Sequence, residues 1–182
     1  MNGNEKAGMT RRAALLGTAG MTVGVVAATA ATASAQDATP SAGSGVMPGL
    51  TLTVEGALTV LNAALEEARS LGVPEVIAVV DAAGDLKAFA RMDGTFNTSI
   101  DLAMDKAFTA ASFHTPTDQF AESVSADAVT MASLLNEPHI SLLPGGIPLM
   151  SGQTVIGAVG CSGGSGEQDV QCAQAGVGAL GS

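Results

Sequence analysis

Apolar residues recur every three or four positions in several segments of the chain, the pattern that predicts amphipathic helices. The longest of these segments runs from Val54 to about Leu71, with Thr53 as its predicted cap. Gly72 and Pro74 follow it, and both residue types end helices. The same spacing predicts four further helices, at about residues 98–113, 119–123, 127–135 and 167–180.

Short apolar runs bounded by turn residues predict strands. Asp81–Asp85 is a turn sequence between two such runs, which predicts a β-hairpin. Gly152-Gln153 separates another two runs. Strand pairs with helices before, between and after them predict an α+β fold, a layer sandwich with a mainly antiparallel sheet. The predicted strands are residues 75–80, 86–92, 147–150 and 154–159, with 139–142 as a candidate for a further short strand.

The predicted helix that ends at Phe113 has two faces of different character. Its predicted core face is one apolar stripe, Ile100, Ala103, Met104, Ala107, Phe108 and Ala111. A second stripe lies roughly opposite by the helical period and is predicted to face outward. Leu and Phe are unusual on a solvated face, so this stripe is interpreted as a ligand wall or a subunit contact, with incidental exposure as the alternative. The second stripe consists of Leu102, Lys106, Thr109 and Phe113.

The segment from Leu143 to Asp169 contains a glycine-rich loop between the last predicted strand and the last predicted helix. Residues 160–166 include four glycines, so the backbone there can approach another group closely. Glu167 and Asp169 fall in the first turn of the helix, where carboxylates would repel a phosphate. A tight strand-to-helix connection is therefore preferred to a ligand-facing loop.

The N-terminal residues have the pattern of an export signal. Arg11-Arg12 precedes a weakly hydrophobic run rich in Ala, Thr and Gly, and Ala33-Ser34-Ala35 matches a cleavage site. Residues 1–35 are predicted to be a twin-arginine signal peptide cleaved after Ala35, and the protein to be secreted or extracytoplasmic. The alternative, a retained membrane anchor, is disfavoured by the weak hydrophobicity. Residues 36–50 are predicted to form a flexible arm and residues 51–182 the folded domain.

The mature chain is predicted to be strongly acidic. The whole sequence has 7 basic and 17 acidic residues, and the predicted signal peptide contains three of the basic residues and one of the acidic ones. A net charge near −12 remains, which makes nucleic acid and anionic membrane surfaces poor partners.

Few residues offer catalytic or metal-binding chemistry. Cys161 and Cys172 are expected to be unpaired thiols, although export would permit a disulfide. His114 and His139 are weak candidates for metal or haem ligands, since a lone histidine is more often structural. His114 is preferred because it follows the two-faced helix. No catalytic residue is assigned, because no serine has nucleophile-elbow spacing.

Eight short motifs carry a resemblance to the GlcG/HbpS family of haem-binding proteins. The resemblance extends from about Leu52 to Leu180, nearly the whole predicted domain. Its motifs are Gly72-Val73-Pro74, Val79–Gly84, Arg91–Gly94, Ser99-Ile100-Asp101, Lys106–Ala110, Pro116-Thr117, Pro144–Leu149 and Ser162–Asp169.

The resemblance implies an α/β sandwich with a central, mainly antiparallel five-stranded sheet, a homo-oligomer, and haem as the cofactor of exported members. It implies an extracytoplasmic haem-binding protein that scavenges or stores haem iron or acts as a redox-sensing accessory, with a membrane sensor kinase as a partner. An enzyme that degrades haem or acts on a small organic acid is the alternative. The residues expected to contact the cofactor are Lys106, Thr109, Phe113, His114 and Thr115.

Overall fold

The structure is a computed structural model and describes residues 49–181. The predicted signal peptide and nearly all of the predicted arm lie outside the described residues. Within the described part of the chain, no helix is long and apolar enough to cross a membrane.

Five helices and four strands make up the domain between residues 49 and 181. The five predicted helices and the four main predicted strands are confirmed, with shifts of up to three residues at their ends. In chain order they are α1 (Val54–Leu71), β1 (Val76–Asp81), β2 (Leu86–Arg91), α2 (Thr98–Phe113), α3 (Thr117–Val124), α4 (Ala128–Leu134), β3 (Gly146–Ser151), β4 (Thr154–Ser162) and α5 (Gly166–Leu180).

The strands form one sheet in the order β2-β1-β4-β3, and every neighbouring pair is antiparallel. Strands β1 and β4 are central and almost entirely buried. Strand β3 forms one edge and contains Pro148, which lies opposite Ala158 of β4. The mainly antiparallel sheet is therefore confirmed.

Helices cover both faces of the sheet, because alternate residues of β1 point to opposite sides. Ile77 and Val79 pack in a core with α1 and α5. Val76, Ala78 and Val80 pack against small residues of α2 on the other side. The result is a three-layer sandwich with a separate apolar core on each face of the sheet.

Helix α2 lies unusually close to the sheet, because two glycines face it. A Cβ at Gly160 would lie 2.6 Å from the backbone nitrogen of Ala107, and one at Gly146 would lie 2.8 Å from the carbonyl carbon of Lys106. Because α2 lies so close to the sheet, a larger part of its surface is buried.

The sheet has four strands within the described residues, so the expected fifth strand is not present there. Residues 139–142 are not a strand. Their backbone is bonded to a side chain of α2 instead: Thr109 Oγ1 donates to the carbonyl of His139 and accepts from the N–H of Ser141. Backbone groups used in this way cannot also form a ladder with a neighbouring strand.

The outward orientation predicted for the second stripe of α2 is wrong for two of its four residues. Lys106 and Thr109 are almost fully buried, whereas Leu102 is half-buried and Phe113 is exposed. The close approach of α2 to β3 and β4 brings the middle of the stripe into the interior. Helix α2 begins at Thr98, and the preceding Asn97 makes no side-chain capping bond.

Candidate functional site

A buried ion pair joins α2 to the start of α5. The Lys106 ammonium lies 2.6 Å from Oδ2 of Asp169 and donates to the carbonyl oxygen of Cys161 at 2.8 Å. The other oxygen of Asp169 accepts from the N–H of Gly164 at 3.0 Å. These bonds hold together the end of β4, the glycine-rich loop and two helices.

Glu75 is a second buried carboxyl group next to this ion pair. It is fully buried, and within the described residues neither of its carboxyl oxygens has a hydrogen-bond partner. Burial, and secondarily the negative charge of Asp169, raises the pKa of Glu75 to about 8. The raised pKa favours the protonated form of Glu75 in the folded chain.

Both cysteines are buried near this cluster as free thiols. Burial raises the pKa of Cys161, and it raises the pKa of Cys172 to about 12. Since the thiolate is the reactive form, the raised pKa of both thiols disfavours nucleophilic attack by either residue. The prediction that the thiols are unpaired is confirmed.

A pocket of about 320 Å³ opens above the ion pair, and we call it the polar pocket. Lys106 and Asp169 contribute to its wall, together with residues from the starts of α2 and α5 and from the glycine-rich loop. The loop is thus part of a pocket as well as a strand-to-helix connection. The polar pocket is lined by Phe96, Thr98, Ser99, Leu102, Lys106, Leu143, Pro144, Ser162, Gly163, Gly164, Gly166 and Asp169.

A second pocket, of about 220 Å³, lies on the other flank of α2, and we call it the apolar pocket. Most of its wall is hydrocarbon, and its polar groups are Asp105 and His139. The Phe108 ring forms part of this wall and packs against Gly84 of the β1–β2 turn. The apolar pocket is lined by Val80, Gly84, Leu86, Met104, Asp105, Phe108 and His139.

His139 stands at the rim of the apolar pocket and is held from α2. Its Nδ1 lies 3.1 Å from Oδ1 of Asp105, and its ring meets that of Phe108 edge-on with the centroids 6.1 Å apart. Its backbone has a φ of 68°, a left-handed conformation that residues other than glycine rarely adopt. Thr109 holds that backbone, as described above.

The five residues expected to contact a cofactor do not gather in one pocket. Lys106 lines the polar pocket, whereas Thr109 is buried and anchors the segment that carries His139. At the end of α2, Phe113 stacks on Phe120 with the ring centroids 4.0 Å apart. His114 is exposed at the C-cap with a φ of 56°, and Thr115 is half-buried.

Three residues of these sites were missed by sequence reasoning. Glu75 was predicted only as the first residue of a strand and Asp169 only as an acid in the first turn of a helix, and Asp105 was assigned no role. Each interpretation was local, whereas the partners lie far away in sequence. An acid at the start of a continuous apolar run, as at Glu75, is the one signal that could have indicated burial.

The described residues contain no group of three or more His, Cys, Asp or Glu side chains able to hold a metal ion. The Asp81 carboxylate is engaged in other bonds: it accepts from the N–H groups of Ala83 and Asp85 and contacts Lys87. As expected from the sequence, this acid belongs to a turn.

Comparisons with known proteins all place the chain in the same family. The model of the family described as haem degrading protein HbpS-like matches residues 52–178. An uncharacterised 15.0 kDa protein of Citrobacter freundii is 37% identical over 120 residues, which are 65% of this chain and 84% of that protein. GlcG of Escherichia coli is 33% identical over 111 residues, 61% of this chain and 81% of GlcG.

The corrinoid adenosyltransferase PduO of Salmonella typhimurium is 35% identical over 123 residues, 65% of this chain. Those residues correspond to only 36% of PduO. The chain therefore spans about a third of that enzyme, and the similarity does not extend to the whole of it.

Two solved structures have the same fold. HbpS of Streptomyces reticuli, in a doubly substituted form, superposes with a TM-score of 0.70 at 34% identity, covering 79% of this chain and 96% of that one. A complex of PduOC with haem superposes with a TM-score of 0.66 at 32% identity, covering 71% of this chain and 95% of that one.

Proposed function

The chain belongs to the GlcG/HbpS family, and from this premise we propose that it is an extracytoplasmic haem-binding protein. Haem binding is supported by one observation above the others: a relative of the same fold and 32% identity, PduOC, has been solved as a complex with haem. The extracytoplasmic location rests on the twin-arginine pattern and the Ala33-Ser34-Ala35 cleavage site. Scavenging, storage and redox sensing are the roles we propose for the bound haem.

The apolar pocket fits a porphyrin better than the polar pocket does. A porphyrin is a flat apolar ring, and the wall built by Val80, Leu86, Met104 and Phe108 offers hydrocarbon and an aromatic surface. The polar pocket has the Lys106–Asp169 ion pair in its wall, and charged groups do not complement the apolar face of a porphyrin.

The size of the apolar pocket decides how a porphyrin would lie. Its volume of about 220 Å³ is below the roughly 300–1,000 Å³ of pockets that enclose drug-sized ligands. One edge of the macrocycle would therefore enter the pocket, and the remainder would extend over the exposed Leu86. The bound haem would supply iron-centred redox chemistry, while the chain supplies the apolar seat.

Titration of the purified chain with haemin tests the proposal. We expect a Soret band that saturates at a fixed ratio of haem to protein. Leu86→Ser should weaken binding by about tenfold, since a lost Leu contact of about 1.5 kcal/mol corresponds to that factor. Val129→Ser is the matched control, because Val129 is also exposed but lies on α4, outside the apolar pocket.

A Soret band that does not saturate would overturn the proposed function. If Leu86→Ser and Val129→Ser weaken haemin binding equally, haem does not bind in the apolar pocket, but the proposed haem binding itself still stands.

Haem degradation is the second candidate function, because the matching family is described as haem degrading. The same complex distinguishes the two. A haem-storing or haem-sensing protein keeps its Soret band when a reductant is added under air, whereas a haem-degrading enzyme loses the band and releases iron in equal amount. Released iron can be measured with a ferrous chelator.

A further inference from the structure

We propose that His139 is the axial ligand of the haem iron, through Nε2, and that Asp105 is the residue that orients it. This inference rests on the proposed haem binding and specifies the atom that would hold the iron. Neither histidine was favoured strongly by the sequence, and His139 was the weaker of the two.

The hydrogen bond between His139 and Asp105 fixes which ring nitrogen is available. An ionised carboxylate can only accept a hydrogen bond, so Nδ1, 3.1 Å from Oδ1 of Asp105, carries the proton. In the neutral ring this leaves the lone pair on Nε2. A metal-bound histidine commonly donates its other N–H to a carboxylate in this way, which fixes the tautomer and strengthens the ligand.

Helix α2 holds His139 in position at three points. Asp105 bonds the ring, Phe108 contacts its edge, and Thr109 bonds the backbone carbonyl at 3.3 Å. Phe108 and Thr109 follow Asp105 by three and four positions, so both lie next to it on the helix surface. Such a set of restraints explains how a non-glycine residue is kept in the left-handed region, a feature often found at functional sites.

The His139 ring can be reached by a ligand that enters the apolar pocket. Its side chain is 70% exposed although its Nδ1 is paired, and Leu86 and Met104 lie along the same wall. A planar ligand seated on this wall would meet the imidazole at the rim.

His114 provides a comparison within the same chain. It is also exposed and also has a positive φ, of 56°. Among the described residues, however, its ring has no carboxylate partner of the kind that Asp105 gives His139. His114 also lies at the far end of α2, where Phe113 stacks on Phe120. The two histidines thus differ in the feature that the proposal uses.

Two variants of the full chain, each loaded with haemin, test the ligand assignment by absorbance and electron paramagnetic resonance. His139→Ala should shift the Soret band and weaken haemin binding, while His114→Ala should keep the wild-type spectrum and affinity. Added imidazole should restore the wild-type spectrum to His139→Ala, because it supplies the missing ring. Circular dichroism should show that all variants are folded, since the His139 side chain is outside the core.

Asp105→Asn tests the orienting role separately. It should keep histidine ligation but weaken haemin binding by about tenfold. It should also lower the iron–histidine stretching frequency of the reduced complex. An amide oxygen accepts a weaker hydrogen bond from Nδ1 than a carboxylate does, so the imidazole would be a weaker ligand. An unchanged stretching frequency would remove Asp105 from the proposal.

The outcomes separate the ligand from the function. If His139→Ala binds haemin with the wild-type spectrum and affinity, the ligand assignment is wrong and haem binding stands. If His114→Ala alone changes the spectrum, His114 is the ligand instead. If the wild-type chain itself shows no saturable Soret band, both the proposed function and the ligand assignment are overturned.

Discussion

Lys106 and Asp169, 63 positions apart in the chain, meet in the interior with 2.6 Å between the ammonium nitrogen and a carboxylate oxygen. Removing one partner of a buried pair leaves the other charge unpaired in a medium of low polarity. Lys106→Met should therefore lower the free energy of unfolding by about 3–5 kcal/mol. Urea unfolding followed by circular dichroism measures the change.

Lys87→Met is the control for this substitution. Lys87 lies 3.6 Å from Asp81, but both side chains are partly exposed. A surface pair contributes about 0–1 kcal/mol, so this variant should be nearly as stable as the wild type. Similar losses in the two variants would contradict a special role for the buried pair.

The buried Glu75 should make the stability of the protein depend on pH. Its pKa is about 8 in the folded chain, against 4.5 for the ordinary carboxyl. The folded state therefore binds the proton more tightly, and stability is greatest below pH 4.5 as far as this group is concerned. This contribution to stability is lost as the pH rises from 4.5 towards 8.

Glu75→Gln should remove this dependence, because the amide does not ionise. Thermal melts between pH 5 and pH 9 should show a flatter profile for Glu75→Gln than for the wild type. Glu66→Gln, on the exposed side of α1, should retain the wild-type slope. A slope that survives in Glu75→Gln would assign the pH dependence to another group.

Thr109 anchors the segment that carries His139, so Thr109→Val should both destabilise the protein and weaken haemin binding. The substitution keeps the shape of the side chain but leaves the N–H of Ser141 without its acceptor. An unsatisfied buried group costs about 1–3 kcal/mol. Urea unfolding and haemin titration measure the two effects.

Thr59→Val is the corresponding control, since Thr59 is exposed on α1 and its hydroxyl donates to the carbonyl of Glu55 in the same helix. Its effect on stability should stay within about 0.5 kcal/mol. If Thr109→Val binds haemin as tightly as Thr59→Val does, the anchor does not support the haem site.

The close approach of α2 to the sheet depends on Gly160. A methyl group there would press on the backbone of Ala103 and Ala107. Gly160→Ala should therefore destabilise the protein by about 1–3 kcal/mol. In α5, a Cβ at Gly178 would meet no atom of the described residues within 4 Å, so Gly178→Ala should be neutral or stabilise by up to about 1 kcal/mol. Chemical denaturation of the two variants should give changes of opposite sign or clearly different size.

The elements of the fold were predictable because their signals are local. Periodicity and the helix-ending Gly72 defined α1, and the turn at Asp81–Asp85 defined the first hairpin. The outward orientation of Lys106 was wrong because a polarity pattern treats lysine as solvated. Its burial depends on Asp169 and on Gly146 and Gly160, which are distant in sequence.

The candidate site was less predictable than the fold for the same reason. Residues 139–142 resembled a strand by composition, but Thr109 bonds their backbone and holds them as a loop. His139 gains its carboxylate partner from α2 only through that arrangement. A one-dimensional pattern gives no indication that Asp105 and His139 meet.

The two edge strands, β2 and β3, differ in how readily a strand from another molecule could pair with them. Strand β3 contains Pro148, and proline has no N–H to offer a passing strand. An incoming chain could not form an unbroken ladder along that edge, whereas β2 carries no proline. The β3 edge is thereby protected against fibril-like stacking, and the β2 strand lacks this protection.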